Sequence, residues 1–326
     1  MGLGASFYLH PNKKRDASEE EVFSMVASVE LDNCTFLSQN HSTPTFTMRK
    51  PSLDATVENE VFEANVYAAL VTLLANKLVR IDKIRGEGDV VIFDCHIEEG
   101  TFTDIIGLQP KFAKLLSVEQ SLFNAFIKSA QAFSDSPAIF SQMYSSAFSL
   151  LVYATESIAN VTCVSERTKR RRIVKFVVDN VKDNRFESVE IRQLEFRGRN
   201  RSKDLLFEKL LERSYILRCK YVHEAEIVPF PSQMAHNLSM AFVSNDQKTL
   251  FPSYFWLRRI VNLALNNFLV NQPSIGRNHI NNYTEPHRVG KFKAKKTVKK
   301  GEFLDEDSIY LQQLDDEFVN EEYLKK

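Results

Sequence analysis

The stretch KDLLFEKLLERSYILRCKYVHE, residues 203–224, decides the fold. Its apolar side chains recur at intervals of three and four residues, the period of an amphipathic helix. They are Leu205, Leu206, Leu210, Leu211, Tyr215 and Val222. Pro229 and Pro231 follow closely, and proline cannot continue a helix. The pattern therefore predicts one long helix from Lys203 to about Glu224.

Further helical stretches lie on both sides of this one. SVEQSLFNAFIKSAQAF begins at Ser117, which with Gln120 forms the pattern of a capping box. A turn is predicted at Ser134–Pro137, and a longer apolar helix follows it, AIFSQMYSSAFSLLVYATESIANV. A final helix, SYFWLRRIVNLALNNFLV, has Ser253 as its predicted N-cap. Together they predict a mainly α protein, with a bundle of four to five helices over residues 116–272.

Residues 1–115 combine helix and strand signals. VFEANVYAALVTLLANKLV, residues 61–79, is apolar and long enough for a helix. DVVIFDCHI, residues 89–97, reads as a strand within a strand–turn–strand unit, and residues 40–52 read as a short strand or loop. The sequence thus predicts a smaller α/β domain of unknown role before the bundle.

Asp94 and His96 fall on one face of the predicted strand, because strand side chains alternate between faces. Two readings are open: a metal or acid–base site, or a hydrogen-bonded surface pair. Cys95 points the other way and is predicted to lie in the core.

The composition excludes several classes of protein. The 326 residues carry a formal net charge of zero, so any nucleic-acid binding must come from a local patch. Four widely spaced cysteines without a Cys-x-x-Cys motif argue against a zinc ribbon or a disulfide framework. The chain has no run of 18 apolar residues and no apolar signal core at its N-terminus. We expect a soluble cytoplasmic protein without membrane contact, metal or cofactor.

Two segments have unusual charge. Residues 165–202 are basic and present either a solvated helix face or a phosphate-binding patch. The candidate RNA-binding residues here are Arg167, Lys169, Arg170, Arg171 and Arg172, with Lys220 beside them in the long helix. Residues 273–326 are basic and then acidic, and from Asn271 onward we expect a non-globular tail that could dock a regulatory partner.

The long helix also carries a chemically suggestive pair, Arg218 and His223. An arginine can grip a phosphate, and a histidine titrates near neutral pH. Five residues correspond to about 140° around a regular helix, so the two side chains do not share a face. A site that uses both needs a cleft that wraps the helix, a distorted helix end, or two copies facing each other across a groove.

Two segments resemble the HEPN superfamily, particularly its ApeA-like and abortive-infection-like members. One is SPAIFSQMYSSAFSLLVYATESIAN, an apolar run that closes on Ala154-Thr-Glu156. The other is YILRCKYVH, which looks like the family's Tyr-x-x-Arg-x-x-x-Val-His signature. Cys219 stands where the family often has Asn or Asp, and Glu224 where it often has Gly. The resemblance covers about half the chain, residues 118–271.

The resemblance implies a metal-independent endoribonuclease that acts as a homodimer, a toxin-like hydrolase of stress or antiviral (phage) defence. Arg218 and His223 would be catalytic, and Glu156, Tyr215 and Cys219 accessory. RNA supplies its own nucleophile, the 2′-OH. Cleavage therefore needs only a general base, a general acid and a positive charge beside the phosphate.

Other readings stay open. Arg218 could form a structural ion pair with Glu156 or Glu212. His223 could simply lie at a helix C-terminus, where the dipole favours a cation. The chain would then be a catalytically silent module that binds RNA, a nucleotide or a partner protein, or a structural adaptor.

Overall fold

The computed structural model describes residues 8–9, 25–51, 57–87, 89–181, 203–229, 241–243, 250–281 and 283. The strands are β1 (Tyr8–Leu9), β2 (Met25–Leu31), β3 (Cys34–Ser38), β4 (Thr45–Pro51), β5 (Val79–Glu87), β6 (Val90–Ile97), β7 (Ala241–Val243) and β8 (Leu250–Pro252). The helices are α1 (Val57–Ala75), α2 (Phe102–Ile106), α3 (Gln109–Leu116), α4 (Gln120–Ile139), α5 (Tyr144–Thr162), α6 (Lys169–Asn180), α7 (Lys203–Glu224) and α8 (Tyr254–Val270).

The N-terminal part is an antiparallel sheet with the order β1-β2-β3-β4-β6-β5. Every second side chain of the strands points into the core, where Phe36, Met48 and Cys95 are buried. Helix α1 lies between this face and helix α4, which explains why it is buried along most of its length. The predicted helix after Glu60, the strand–turn–strand unit and the core position of Cys95 are confirmed.

A buried ion cluster joins the sheet to α1. The Lys50 ammonium lies 2.5 Å from a carboxylate oxygen of Glu60 and also contacts the Glu63 carboxylate. The three residues are 1%, 3% and 0% exposed. Charges this deep are retained in a folded protein only when they are paired, so the cluster fixes β4 against α1.

Polar side chains of other helices close the C-terminal end of α1. The Asn262 and Asn266 amides donate to the Leu73 carbonyl at 2.7 and 3.2 Å. The Lys111 ammonium donates to the Leu74 carbonyl at 3.0 Å, and burial lowers the pKa of this lysine. The last carbonyls of a helix have no partner within it, so these contacts tie α1 to α3 and α8. The buried core runs continuously from the sheet into the helices.

The helical part confirms the coarse prediction of helices following an α/β region. Helix α7 spans the predicted residues, and the Ser253 hydroxyl caps α8 by accepting the Trp256 amide at 3.2 Å. The short hairpin β7–β8 was not predicted. A domain boundary at residue 115 stays a prediction.

Two predicted features at α4 are wrong. Ser117 does not begin α4: its hydroxyl donates to the Lys114 carbonyl at 2.8 Å and closes α3. Helix α4 also runs through Pro137 to Ile139 instead of breaking. Proline in the last turn costs one hydrogen bond, whereas this turn keeps Phe133 and Ser136 fully buried. The turn between α4 and α5 therefore comes a few residues later.

Residues 273–281, which we name the strap, pack against the protein instead of forming a non-globular tail. The Ile275 and Gly276 amides donate to the Ser117 carbonyl at 2.8 and 2.7 Å. Farther along, the Ile280 amide donates to the Asp32 carboxylate at 2.9 Å, and the Ile280 side chain is fully buried. The expectation of a non-globular tail from Asn271 is therefore wrong for the strap. The charged residues 284–326 lie outside the described part of the chain.

None of the helices in the described part of the chain combines the length and apolar character that crossing a lipid bilayer requires.

Candidate functional site

Helices α5 and α7 lie side by side and carry the residues of the candidate site. The hydroxyls of Ser146 and Tyr221 form a hydrogen bond of 2.7 Å between the first turn of α5 and the last turns of α7. Just beyond α7, the Val228 amide donates to the Ser145 hydroxyl at 3.0 Å. These contacts fix the position of the last turn of α7 against α5.

Glu156 is the centre of the site. It lies on α5 and is only 4% exposed. One of its carboxylate oxygens is 3.3 Å from the Lys169 ammonium on α6, and the other is 3.6 Å from the Arg218 guanidinium on α7. The second oxygen forms no hydrogen bond, so the contact with Arg218 is ionic. A single buried carboxylate thus holds three helices together.

Tyr215 and Cys219 lie one turn apart on α7 and extend this cluster. Burial raises the pKa of the Tyr215 hydroxyl, and a hydrogen bond to Cys219 and the negative charge of Glu156 raise it further. The nearby positive charge of Arg218 opposes this shift. Tyr215 is therefore neutral at physiological pH and packs against the core.

His223 is exposed in the last turn of α7. Helix α7 is continuous through this residue, so the alternative of a distorted helix end is wrong. The Arg218 side chain is 19% exposed and turned toward Glu156. Among the described residues, no hydrogen bond or ion pair joins Arg218 to His223. The structure therefore brings Glu156, Lys169, Tyr215, Arg218 and Cys219 together and leaves His223 apart.

The contacts decide which partner Arg218 has. The ion pair between Arg218 and Glu156 is present, whereas Glu212 pairs with Lys209 at 3.0 Å instead. His223 lies in the last turn of α7, which is compatible with both of its readings.

The six predicted RNA-binding residues divide into two groups. Arg167, Arg170 and Arg171 are exposed around the start of α6. The other three are occupied by the protein itself: Lys169 pairs with Glu156, Arg172 donates to the Glu166 carbonyl at 2.9 Å, and Lys220 pairs with Glu226 at 2.8 Å. The hydrogen bond to Glu226 raises the pKa of Lys220. Of these six residues, only Arg167, Arg170 and Arg171 are thus exposed. Residues 182–202 lie outside the described part.

The strand pair Asp94 and His96 does not form a site of its own. The Asp94 carboxylate accepts two hydrogen bonds from Arg85 on β5, at 2.7 and 3.1 Å. Asp94 therefore pairs with Arg85, and these contacts show neither reading of the Asp94 and His96 pair. Across the described ranges, no group of three or more His, Cys, Asp or Glu side chains is placed to hold a metal ion.

Sequence reasoning missed two features of this region. Lys169 is a partner of Glu156, and no periodicity signals a contact between residues 13 positions apart on different helices. The second is an aromatic cluster where α4 ends and α5 and α8 begin. Its signal was present in the sequence, as four aromatic residues, Phe140, Tyr144, Tyr254 and Phe255, at the ends of predicted helices.

No protein-family model, curated protein sequence or solved structure matches the chain.

Proposed function

We propose that the chain is a HEPN-type endoribonuclease that cuts RNA without a metal ion, works as a homodimer in the cytoplasm, and serves as a stress or phage-defence effector. The observation that carries the proposal is the arrangement on α7. Arg218 is fixed by the buried Glu156, and His223 is exposed at the end of the same helix, five residues later. These are the residues that the family signature marks.

The chemistry assigns one task to each residue. His223 takes the proton from the 2′-OH or returns one to the leaving 5′-oxygen, an effect worth about 10²–10⁴-fold in rate. Arg218 stabilises the negative charge that grows on the phosphate. Glu156 orients Arg218, and its negative charge lowers the net positive charge that Arg218 presents.

The geometry of α7 supports the proposed dimer. Arg218 and His223 point in directions about 140° apart, because α7 is a regular helix. One copy therefore cannot present both side chains to one phosphate on a single helix face. Two α7 helices facing each other across a two-fold axis would line one groove with two arginines and two histidines.

The test is RNA cleavage by purified protein in excess over a labelled RNA, with EDTA present. We expect the wild type to cut, and Arg218→Ala and His223→Ala to lose most of the activity. Arg277→Ala and His96→Ala are matched controls, since they remove the same residue types outside the cluster. Cleavage that survives both site substitutions, or wild-type protein that does not cut, would sink the proposal. Melting temperatures check that the variants remain folded.

A second candidate function is a catalytically silent module that binds RNA. It is favoured by one observation: the charge of Arg218 is already neutralised by Glu156, whereas Arg167, Arg170 and Arg171 are exposed. Phosphate contacts release counterions, so binding through these arginines must weaken as salt rises. Salt-dependent binding without cleavage, reduced by Arg170→Gln and Arg171→Gln, would identify this function.

A further inference from the structure

The aromatic cluster lies at the end of the bundle where α4 ends and where α5 and α8 begin. The Phe140 ring is central, with centroid distances of 5.2 Å to Phe255, 4.3 Å to Tyr254 and 5.6 Å to Tyr144. Tyr254 is buried, and its hydroxyl forms a 2.8 Å hydrogen bond with Ser136. The cluster therefore has a rigid base within the core.

Its outer side is accessible to solvent. Phe255 is 41% exposed, and Met143, which precedes Tyr144 in the sequence, is 53% exposed. Phe140 and Tyr144 are partly exposed. We name these four residues the aromatic platform. Exposed aromatic rings held in place by the core can accept another flat ring at low entropic cost. Every nucleobase has such a face, whatever the sequence.

Two arginines adjoin the platform. Arg258 and Arg259 follow Phe255 by three and four residues, which places them one turn further along the same side of α8. Arg259 is exposed. The Arg258 guanidinium lies 5.1 Å from the centre of the Phe133 ring, its Nε is buried without a hydrogen bond, and burial lowers its pKa.

No carboxylate in the described part of the chain forms an ion pair with either arginine. The acidic residues nearest in sequence to the platform and to the α7 end are Asp135, Glu224 and Glu226, and Glu226 pairs with Lys220. The negative charge of Glu99 acts on Arg258, whereas Arg259 is exposed. An apolar ring surface beside an exposed arginine matches the chemistry of a base and its phosphate. A purely apolar partner would leave the Arg259 charge without a counterion.

We propose that the aromatic platform, with Arg258 and Arg259, binds one unpaired nucleotide of a single-stranded RNA. The base stacks on Phe255, and the phosphate contacts the arginines one helical turn away, about 5.4 Å along the axis. A duplex cannot bind in this way, because its bases are already stacked on each other. The proposal rests on the proposed function only in taking RNA as the ligand.

The platform is also connected to the end of α7. Tyr144 begins α5, and two residues later Ser146 forms its hydrogen bond with Tyr221. Tyr221 precedes His223 by two residues. A strand held on the platform would therefore lie at the end of the bundle that carries His223, and the platform would select unpaired RNA.

The test compares three ligands: a ten-nucleotide 2′-O-methyl RNA, which lacks the nucleophile, the same strand with abasic sugars, and its duplex. We expect Phe255→Leu to weaken binding of the single strand by roughly 5- to 150-fold, the effect of losing one stacked base. Binding of the abasic strand should be unchanged by this substitution. Leu263→Ala, an exposed apolar residue farther along α8, is the matched control.

Arg259→Gln should weaken both the normal and the abasic strand and reduce the salt slope by about one. The platform proposal is overturned if wild-type protein binds no single strand, if Phe255→Leu binds as wild type, or if duplex and single strand bind equally. It is also overturned if Phe255→Leu turns a dimer into a monomer, because the platform would then be a surface for a second copy.

These outcomes are separate from those of the cleavage test. If cleavage depends on Arg218 and His223 but binding of the strand does not depend on Phe255, the nuclease proposal is supported and the platform proposal is overturned. If binding of the strand depends on Phe255 but the protein does not cleave RNA, the platform proposal is supported and the nuclease proposal is overturned.

Discussion

Removing both cations that pair with Glu156 should cost far more stability than the two single substitutions added together. Glu156 is 4% exposed, so its charge must be compensated inside the protein. In Lys169→Ala the carboxylate keeps Arg218, and because the Lys169 side chain is 36% exposed we expect a loss of about 0–1 kcal/mol. In Arg218→Ala it keeps Lys169, and we expect about 1–2 kcal/mol.

The double variant leaves Glu156 without either cation. Breaking a buried pair in this way costs about 3–5 kcal/mol, because an uncompensated charge remains in the core. Adding Glu156→Gln to the double variant removes that charge and should restore part of the lost stability. Glu156→Gln alone leaves Arg218 and Lys169 with partial access to water, so it should cost less than the double variant.

Urea unfolding followed by circular dichroism gives the free energy of unfolding for each variant. The reasoning is refuted if the two single losses add to the double loss within about 0.5 kcal/mol. It is also refuted if Glu156→Gln makes the double variant less stable still. The same data show whether a loss of RNA cleavage in Arg218→Ala reflects chemistry or unfolding.

Two further predictions concern the sheet and the strap. Burial raises the pKa of the Cys34 and Cys95 thiols above 9.0, so the unfolded chain releases these protons first. Stability should therefore fall as pH rises above about 9, and the slope should approach about 1.4 kcal/mol per pH unit for each thiol once the unfolded thiols are ionised. Urea unfolding between pH 8 and 10 measures this slope, and a Cys34→Ala/Cys95→Ala variant with the same slope would contradict it. A Cβ at Gly276 would lie 1.9 Å from the Val118 carbonyl oxygen, so Gly276→Ala should detach the strap and speed hydrogen exchange at the Ile280 amide. Gly86→Ala, whose Cβ meets no atom within 4 Å, is the control, and equal exchange rates in both variants would contradict the prediction.

The features that the sequence predicted well depend on neighbouring residues. Helix α7 follows from its own apolar period, and the start of α8 follows from the hydroxyl of Ser253. The features that it missed depend on packing between distant segments. Pro137 was expected to break α4, but burial of the surrounding turn outweighs one lost hydrogen bond. The strap carries no helical or strand period, and its contacts lie about 160 and 248 residues away along the chain.

In the candidate site, too, the sequence indicates some contacts, and packing between helices decides the others. Glu156 is one of the two partners that the sequence offers for Arg218, because it is an acidic residue that interrupts the apolar run of α5. The structure shows that Arg218 pairs with it. The third member, Lys169, was placed among the RNA-binding residues instead. Only the packing of α6 against α5 decides that its charge faces inward to Glu156.

The closure of α1 by Asn262 has a consequence for how the chain folds during synthesis. The Asn262 amide and the Leu73 carbonyl that it binds are 189 residues apart. At a translation rate of about 5–20 residues per second, roughly 10–40 seconds pass between the synthesis of the two residues. Throughout that interval, the last turn of α1 lacks both its hydrogen-bond donors from α8 and the apolar cover of that helix. The sheet and α1 of the nascent chain therefore stay incompletely folded during this time. We expect them to remain a substrate for chaperones until α8 leaves the ribosome.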